Sequence, residues 1–331
     1  MIDIKDKKLN GFKFIDLFAG IGGFHYALSS FGAKCEFASE WDEHASKVYY
    51  SNHGLLPEGD ITLIDEKSIP SHDILCAGFP CQAFSISGKQ NGFEDTRGTL
   101  FFDIARIVEH HKPKIIFLEN VRNLVKHDNG KTMEVILTTL NSLGYDVNHK
   151  VLNTSHYGLP QNRQRIYIVG FNKKMNISGF NFPEPVIEPT ALSDFLESKP
   201  KNVKIVERDD INIYKKVELQ KTLFQNKELP NKPLQIGKVN KGGQGERIYH
   251  PLGHAITLSA YGGGVGSKTG LYQIDDVIRK LSPRECANIQ GFPKDFIFHE
   301  KISQSYKQFG NSVSINVLQK ITEEIIKSLN L

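Results

Sequence analysis

Between residues 12 and 171, short apolar runs alternate with amphipathic stretches, and few folds accommodate that rhythm. Residues 12–18, 35–39, 73–77 and 114–118 read as strands, with further strands near 145–152 and 165–171. Helices are expected from about residue 22 to 31, after Asp42, over 97–111 and around 131–143. In the third of these, Leu100, Ile104, Ile107 and Val108 recur at helical spacing. Strands that are apolar almost throughout must be covered on both faces. The pattern therefore predicts a doubly wound α/β sheet, mainly parallel.

After residue 171 the rhythm is lost. Pro183, Pro185, Pro189 and Pro200 suit a linker, and residues 237–270 are dense in glycine. Residues 313–330 return to helical spacing and are apolar enough to need a core, so they are expected to dock back on the first domain. This predicts a catalytic and cofactor-binding domain over 1–193, completed by 311–331. A smaller, irregular domain follows over 194–282, and 283–310 form a hinge. Charge divides in the same way: net −4 over residues 1–198 and +8 over 199–310. A basic segment on a mildly acidic body points to a polyanionic partner, although solvated lysine faces are also common.

No apolar run approaches the roughly 18 residues that span a bilayer, and the first residues lack a signal-peptide core. The four cysteines (Cys35, Cys76, Cys81, Cys286) are too few and scattered for a disulfide scaffold. A cytoplasmic protein with reduced thiols and no membrane contact is expected.

Several motifs fall at predicted strand ends, the edge at which doubly wound sheets bind ligands. Asp16-Leu17-Phe18-Ala19-Gly20-Ile21-Gly22-Gly23-Phe24 is a strand, a glycine turn and a helix start, although G-x-G-G is not the dinucleotide fingerprint. Glu40 lies 20 residues after Gly20, where an acidic residue binds ribose hydroxyls. Trp41 is suited to stacking on adenine and Asp60 to accepting from its amino group. These features favour S-adenosylmethionine over NAD. Cys81, in Gly78-Phe79-Pro80-Cys81-Gln82, is a candidate nucleophile; the other three cysteines read as structural. Cys76 and Cys81 lack further ligands at zinc spacing, so no metal is expected. Glu119 closes an apolar strand and is suited to acid chemistry on a heterocycle. In Gln161-Asn162-Arg163-Gln164-Arg165, strand alternation puts Arg163 and Arg165 on one side, for phosphate or carbonyl oxygens.

Together with Arg284-Glu285-Cys286-Ala287, Gln290-Gly291-Phe292-Pro293 and Gly310-Asn311-Ser312-Val313, these stretches resemble the ordered motifs of the DNA (cytosine-5)-methyltransferases, over essentially the whole chain. Residues 241–249 and 257–264 resemble a target-recognition region of that family. The resemblance implies methyl transfer to C5 of a flipped-out cytosine in duplex DNA, by way of a covalent bond from Cys81 to C6. Glu119 would act at N3, Arg165 at O2, and Arg163 in support. It implies cofactor contacts from Phe18, Gly20, Gly23, Glu40, Trp41, Asp60, Ile61, Pro80, Leu100 and Asn311, with S-adenosylhomocysteine as product. Ser85, Ser87, Gln244, Arg247, Ser259 and Tyr261 would meet DNA, Gln244 filling the space that the cytosine leaves. It implies a monomer, a short target (GCGC) and a restriction–modification system with a cognate endonuclease. Three rivals remain: a tRNA cytosine-5 methyltransferase, an NAD-dependent dehydrogenase, and a non-catalytic DNA-binding relic of the fold.

Overall fold

Lys13–Leu17 forms β1 because four of its five residues, Phe14 to Leu17, are buried and can be covered only inside a sheet. In a computed structural model, which describes residues 7–80, 100–177, 179–186, 190–201, 203–214 and 231–331, β1 is the second strand of six. The chain divides into two compact units: Ile2–Leu152 with Gln164–Pro183 and Leu318–Leu331, and Asn153–Arg163 with Glu184–Val317.

In the first unit, β1 leads through α1 (Gly23–Ser29), β2 (Lys34–Ser39), α2 (Glu43–His53) and β3 (Ile74–Gly78). It continues through α3 (Leu100–His111), β4 (Ile115–Val121), α4 (Lys131–Ser142), β5 (Tyr145–Asn153) and β6 (Gln164–Asn172). The sheet order is β2-β1-β3-β4-β6-β5. The first four strands are mutually parallel and β6 is antiparallel to β4. The expected mainly parallel α/β sheet is therefore observed. Each boundary has a local cause. Asp42 caps α2 by accepting from the His44 and Ala45 N–H groups, and Gly54 ends it at φ +70°. In α3, Phe101, Ile104, Ala105, Ile107 and Val108 are buried; Leu100, expected on the same face, is only partly so. Phe101, Ile104, Ile107 and Val108 pack with Leu75, Ile116, Leu118, Ile136 and Ile168 in one core, each large side chain contributing about 1.5–3 kcal/mol.

In the second unit β7 (Asn212–Ile213), β8 (Leu234–Lys238), β9 (Arg247–His250), β10 (Leu271–Ile274) and β11 (Val277–Arg279) form a sheet in the order β11-β10-β9-β8-β7. Its small core is Val206, Ile236, Val239, Ile248, Leu271 and Ile278. The β10–β11 hairpin turns on Asp275 and Asp276, both left-handed (φ +49° and +64°), as a two-residue turn between right-twisted strands requires. Gly245, Gly264 and Gly266 are in close backbone packing. The Gly266 N–H donates to the Gly245 carbonyl at 2.7 Å, and a Cβ on Gly245 would lie 2.1 Å from the Gly263 oxygen. Then come α5 (Pro283–Asn288), α6 (Ile302–Asn311) and α7 (Ile315–Ser328), whose last part belongs to the first unit. There Gln319 donates to the Ser30 hydroxyl at 3.0 Å.

The Arg284-Glu285-Cys286-Ala287 motif has a structural use. Glu285 is fully buried, makes a bidentate pair with Arg279 (2.8 Å on each arm), and accepts from the Ser282 N–H. Removing one side of such a pair strands a buried charge. Arg279→Met is expected to cost about 3–5 kcal/mol in chemical denaturation. A loss below about 1 kcal/mol would show that the pair is not needed.

Candidate active site at the carboxyl edge of the sheet

Parallel strands end together. Register pairs Leu17 with Ser39 and with Ala77, and Gly78 with Glu119. The residues just beyond these ends therefore share one edge: the glycine turn, Glu40, Phe79-Pro80 and the end of β4. Because β6 runs the other way, it enters at that same edge, and Val121 pairs with Arg165. Topology thus gathers side chains from positions 18 to 165 of the sequence.

The glycine turn is held by Glu40, which is nearly buried. One carboxylate oxygen accepts from the Gly20 N–H and the other from the Asp42 N–H, both at 2.8 Å. The carboxylate at the end of β2 thereby fixes the backbone after β1. Phe18 (φ +54°), Gly20 (φ +57°) and Gly22 (φ +81°) make the turn left-handed. Gly22 has a second constraint, since a Cβ there would lie 2.0 Å from His53 Nε2. Around Gly20, by contrast, a Cβ would meet nothing within 4 Å. Gly23 opens α1. Trp41 is 77% exposed beside Glu40. Asp60 is exposed and caps a short turn through the Thr62 N–H, with Ile61 buried behind it. Open backbone, an exposed indole and carboxylates suit a nucleoside with an adenine and a ribose.

Sequence reasoning missed what lies beneath this turn. Asp16 is buried, and burial with the charge of Glu40 pushes its carboxyl well above the usual range, against the pull of the His25 backbone N–H. The His25 and His53 rings stack with centroids 4.0 Å apart, and His25 Nδ1 is 2.8 Å from the Tyr49 hydroxyl. Burial, and for His25 also the nearby His53, lowers these imidazoles to about 3 and about 4, so both are neutral at neutral pH. Nothing in the local sequence marks this cluster; its members come from β1, α1 and α2.

The second half of the edge carries the paired charges. Glu119 and Arg165 form an ion pair, Nε to Oε1 at 3.1 Å, with both side chains largely buried. Gly78 leaves space beside this carboxylate: a Cβ there would lie 3.7 Å from Glu119 Oε2. Asn120, for which the sequence suggested no role, donates to the Phe79 carbonyl at 2.8 Å and accepts from the Val121 N–H at 2.7 Å. It ties β4 to the segment that leads to Pro80, which is itself exposed. Cys81, Ser85 and Ser87 lie outside the described residues. The other thiols are buried to different degrees, and burial raises all three, Cys35 to about 12. Among the described residues no three His, Cys, Asp or Glu side chains gather as a metal-ligand set, and no helix is long and apolar enough to cross a membrane.

One expectation is corrected. Arg163 does not share a strand face with Arg165, because β6 begins only at Gln164. The Arg163 guanidinium is buried within the other unit, where it donates to the carbonyls of Leu258, Gly310 and Ser312. Asn311, at the end of α6, is exposed in that unit, and Leu100 is partly buried in the first. Gln244 and Arg247 are both exposed. Their turn is braced by Glu246, which accepts from the Gly243 N–H and the Asn240 amide. Tyr261 is 73% exposed, and the Ser259 hydroxyl donates to its carbonyl.

The C-5 cytosine-specific DNA methylase family matches residues 12–327. The chain is 54% identical to the Type II methyltransferase M.HhaI of Haemophilus parahaemolyticus, over all of this chain and 99% of that one. It is 44% identical to M.HpaII of Haemophilus parainfluenzae, over 96% of this chain and 90% of that one. Among solved structures, the S. pombe Dnmt2 methyltransferase superposes with a TM-score of 0.68 at 20% identity, covering 97% of this chain and all of that one. At that identity the likeness speaks for the fold.

If Glu40 holds the glycine turn, Glu40→Ala should free two backbone donors and destabilise the turn by about 1–3 kcal/mol. Hydrogen exchange at the Gly20 and Asp42 amides should accelerate. Unchanged protection at both would remove Glu40 from this role.

Proposed function

Because the chain belongs to the C-5 cytosine-specific DNA methylase family, we propose that it methylates C5 of a cytosine extruded from duplex DNA, using S-adenosylmethionine and a covalent bond from Cys81 to C6. The observation that carries this reading is the Glu119–Arg165 pair beside Gly78, at the strand edge that leads to Pro80 and Cys81.

Cytosine C5 is a weak nucleophile while the ring keeps its aromaticity. A thiolate that adds to C6 breaks the C5–C6 double bond and makes C5 an enamine carbon. The charge spreads to N3 and O2. Glu119 holds a proton at N3, and the Arg165 guanidinium donates to O2 in the manner of an oxyanion site. The ion pair keeps the two side chains in one orientation and out of bulk water; Glu119 enters it as a carboxylate, takes up a proton to donate to N3, and recovers that proton when the ring is restored. S-adenosylmethionine, when bound, supplies an electrophilic methyl group. Phe18, Gly20, Glu40, Trp41 and Asp60 hold its nucleoside. After methylation the C5 proton goes to a base, the C6–S bond breaks, and the double bond reforms with Cys81 released as thiolate. The raised thiols of Cys35, Cys76 and Cys286 support the choice of Cys81, because the thiolate is the reactive form.

A stacked base cannot reach such a site, so the target must be flipped at a cost of a few kcal/mol. Gln244 is proposed to fill the space left, and Arg247, Ser259 and Tyr261 to contact the duplex; the exposure of Gln244, Arg247 and Tyr261 supports this, and Ser259 is half-buried. The proposal extends to GCGC, the site implied by the motifs in 241–249 and 257–264. It extends also to a monomeric, cytoplasmic enzyme that protects DNA from a cognate endonuclease. The NAD reading loses to the glycine spacing and leaves the Glu119–Arg165 pair without a use.

Bisulfite mapping of plasmid DNA after incubation with protein and S-adenosylmethionine should show methylation at one short site. Duplex carrying 5-fluorocytosine there should trap a denaturation-stable adduct with wild type and none with Cys81→Ser. Glu119→Gln should lower kcat about 10²–10⁴-fold while the protein stays folded. An adduct on Cys81→Ser equal to that of wild type, or preferential methylation of tRNA, would overturn the reading.

A further inference from the structure

The stretch Gln161-Asn162-Arg163-Gln164-Arg165 divides its work. Arg165 serves the ion pair with Glu119, but the three residues before Gln164 act as a bracket within the second unit. The Asn162 N–H donates to the Ala255 carbonyl at 2.9 Å, and the Ala255 N–H to the Pro160 carbonyl at 2.6 Å. The Thr257 hydroxyl donates to the Asn162 carbonyl at 2.5 Å. Gln161, fully buried, donates to the Ile289 carbonyl at 3.2 Å.

Arg163 closes the bracket. Its side chain is 1% exposed. Nη1 donates to the Leu258 carbonyl at 3.0 Å; Nη2 donates to the Gly310 carbonyl at 3.2 Å and to that of Ser312. The two segments so joined also touch directly. A Cβ on Gly310 would lie 2.1 Å from the Ala260 nitrogen, so no other residue fits there without displacing the 259–260 backbone. Leu258 and Ala260 are buried, and the next side chain, Tyr261, is 73% exposed. A rigid, buried anchor thus ends where an exposed surface begins.

We propose that Arg163 is a positioning residue for target discrimination: it fixes the 257–261 segment against the Gly310–Ser312 turn, so that Ser259 and Tyr261 meet the duplex in one register. The proposal rests on the assignment of Ser259 and Tyr261 to DNA. Guanidinium is required because one planar group must serve three carbonyls from two segments. A lysine ammonium is a compact point donor on a flexible stem. A reading surface loosened by about 1 Å loses selectivity before it loses affinity, because phosphate contacts tolerate such shifts and base-edge contacts do not.

The test compares wild type, Arg163→Lys and Thr257→Val at one salt concentration. Fluorescence anisotropy measures affinity for duplexes carrying the mapped site and for duplexes with one base pair changed. Thermal unfolding establishes that each variant is folded. Wild type should disfavour a changed base pair roughly 5- to 150-fold. Arg163→Lys should reduce that ratio to about threefold or less, with affinity for unrelated duplex kept within about twofold. Thr257→Val, which removes one tie of the same bracket, should reduce the ratio by about two- to tenfold. A purely structural role would lower the folded fraction and leave the ratio among folded molecules unchanged. An unchanged ratio in Arg163→Lys overturns the proposal; if that variant does not fold, Thr257→Val decides in the same way. A wild type without discrimination also overturns it. A wild type that discriminates but transfers no methyl group leaves the bracket standing and overturns the proposed reaction instead.

Discussion

A parallel sheet cannot return its strands through tight turns, so each strand in its parallel part ends at the same edge and hands the chain to a loop. In this protein that constraint does most of the assembly. The glycine turn, Glu40, Phe79-Pro80 and Glu119 come together because β1 to β4 are in register, without one long-range side-chain contact being needed to gather them. Strand β6, antiparallel to β4, brings Arg165 to the edge by its amino end. What the side chains add is stiffness. Glu40 holds the backbone on both sides of it, and Asn120 holds the carbonyl before Pro80.

Stiffness of this kind is costly to build, because each polar group taken from water must find a partner. The cost is met with main-chain partners more often than with side chains. Glu40 accepts two N–H groups, Asn120 uses one N–H and one carbonyl, and Arg163 takes three carbonyls. Such bonds fix backbone, and a fixed backbone carries its neighbours with it. The buried Arg279–Glu285 pair does the same around Ser282.

The glycine-rich part of the second unit follows a related logic. Glycine density there reads at first as slack chain. Instead the backbones at Gly245 and Gly263 lie too close to admit a Cβ on Gly245, Gly264 and Gly266 pack tightly against the Gly245 carbonyl, and Glu246 braces the turn that carries Gln244. The glycines let two backbones touch, and an exposed Gln244 is held out from a firm base.

Strand and helix order, the parallel sheet and the carboxyl-edge motifs were legible in the sequence, since periodicity and strand-end position are local properties. So were Glu40 at its distance from Gly20 and the placing of Glu119 and Arg165 at a sheet edge. The final helix was legible too, because its apolar face has no cover of its own. Three things were not. The His25–His53 stack under Gly22 depends on two helices meeting behind one turn, and neither helix marks it. The part played by Asn120 depends on which carbonyl lies opposite the end of β4. Alternation that pairs Arg163 with Arg165 runs one residue past the strand; β6 starts at Gln164, and the side chain before it goes to carbonyls 95 to 149 residues away. Sequence determined which elements form and which chemistry their ends carry, because those depend on neighbours along the chain. Tertiary structure alone decided which polar group meets which, because hydrogen bonds are set by ångströms in space, and separation in sequence does not encode them.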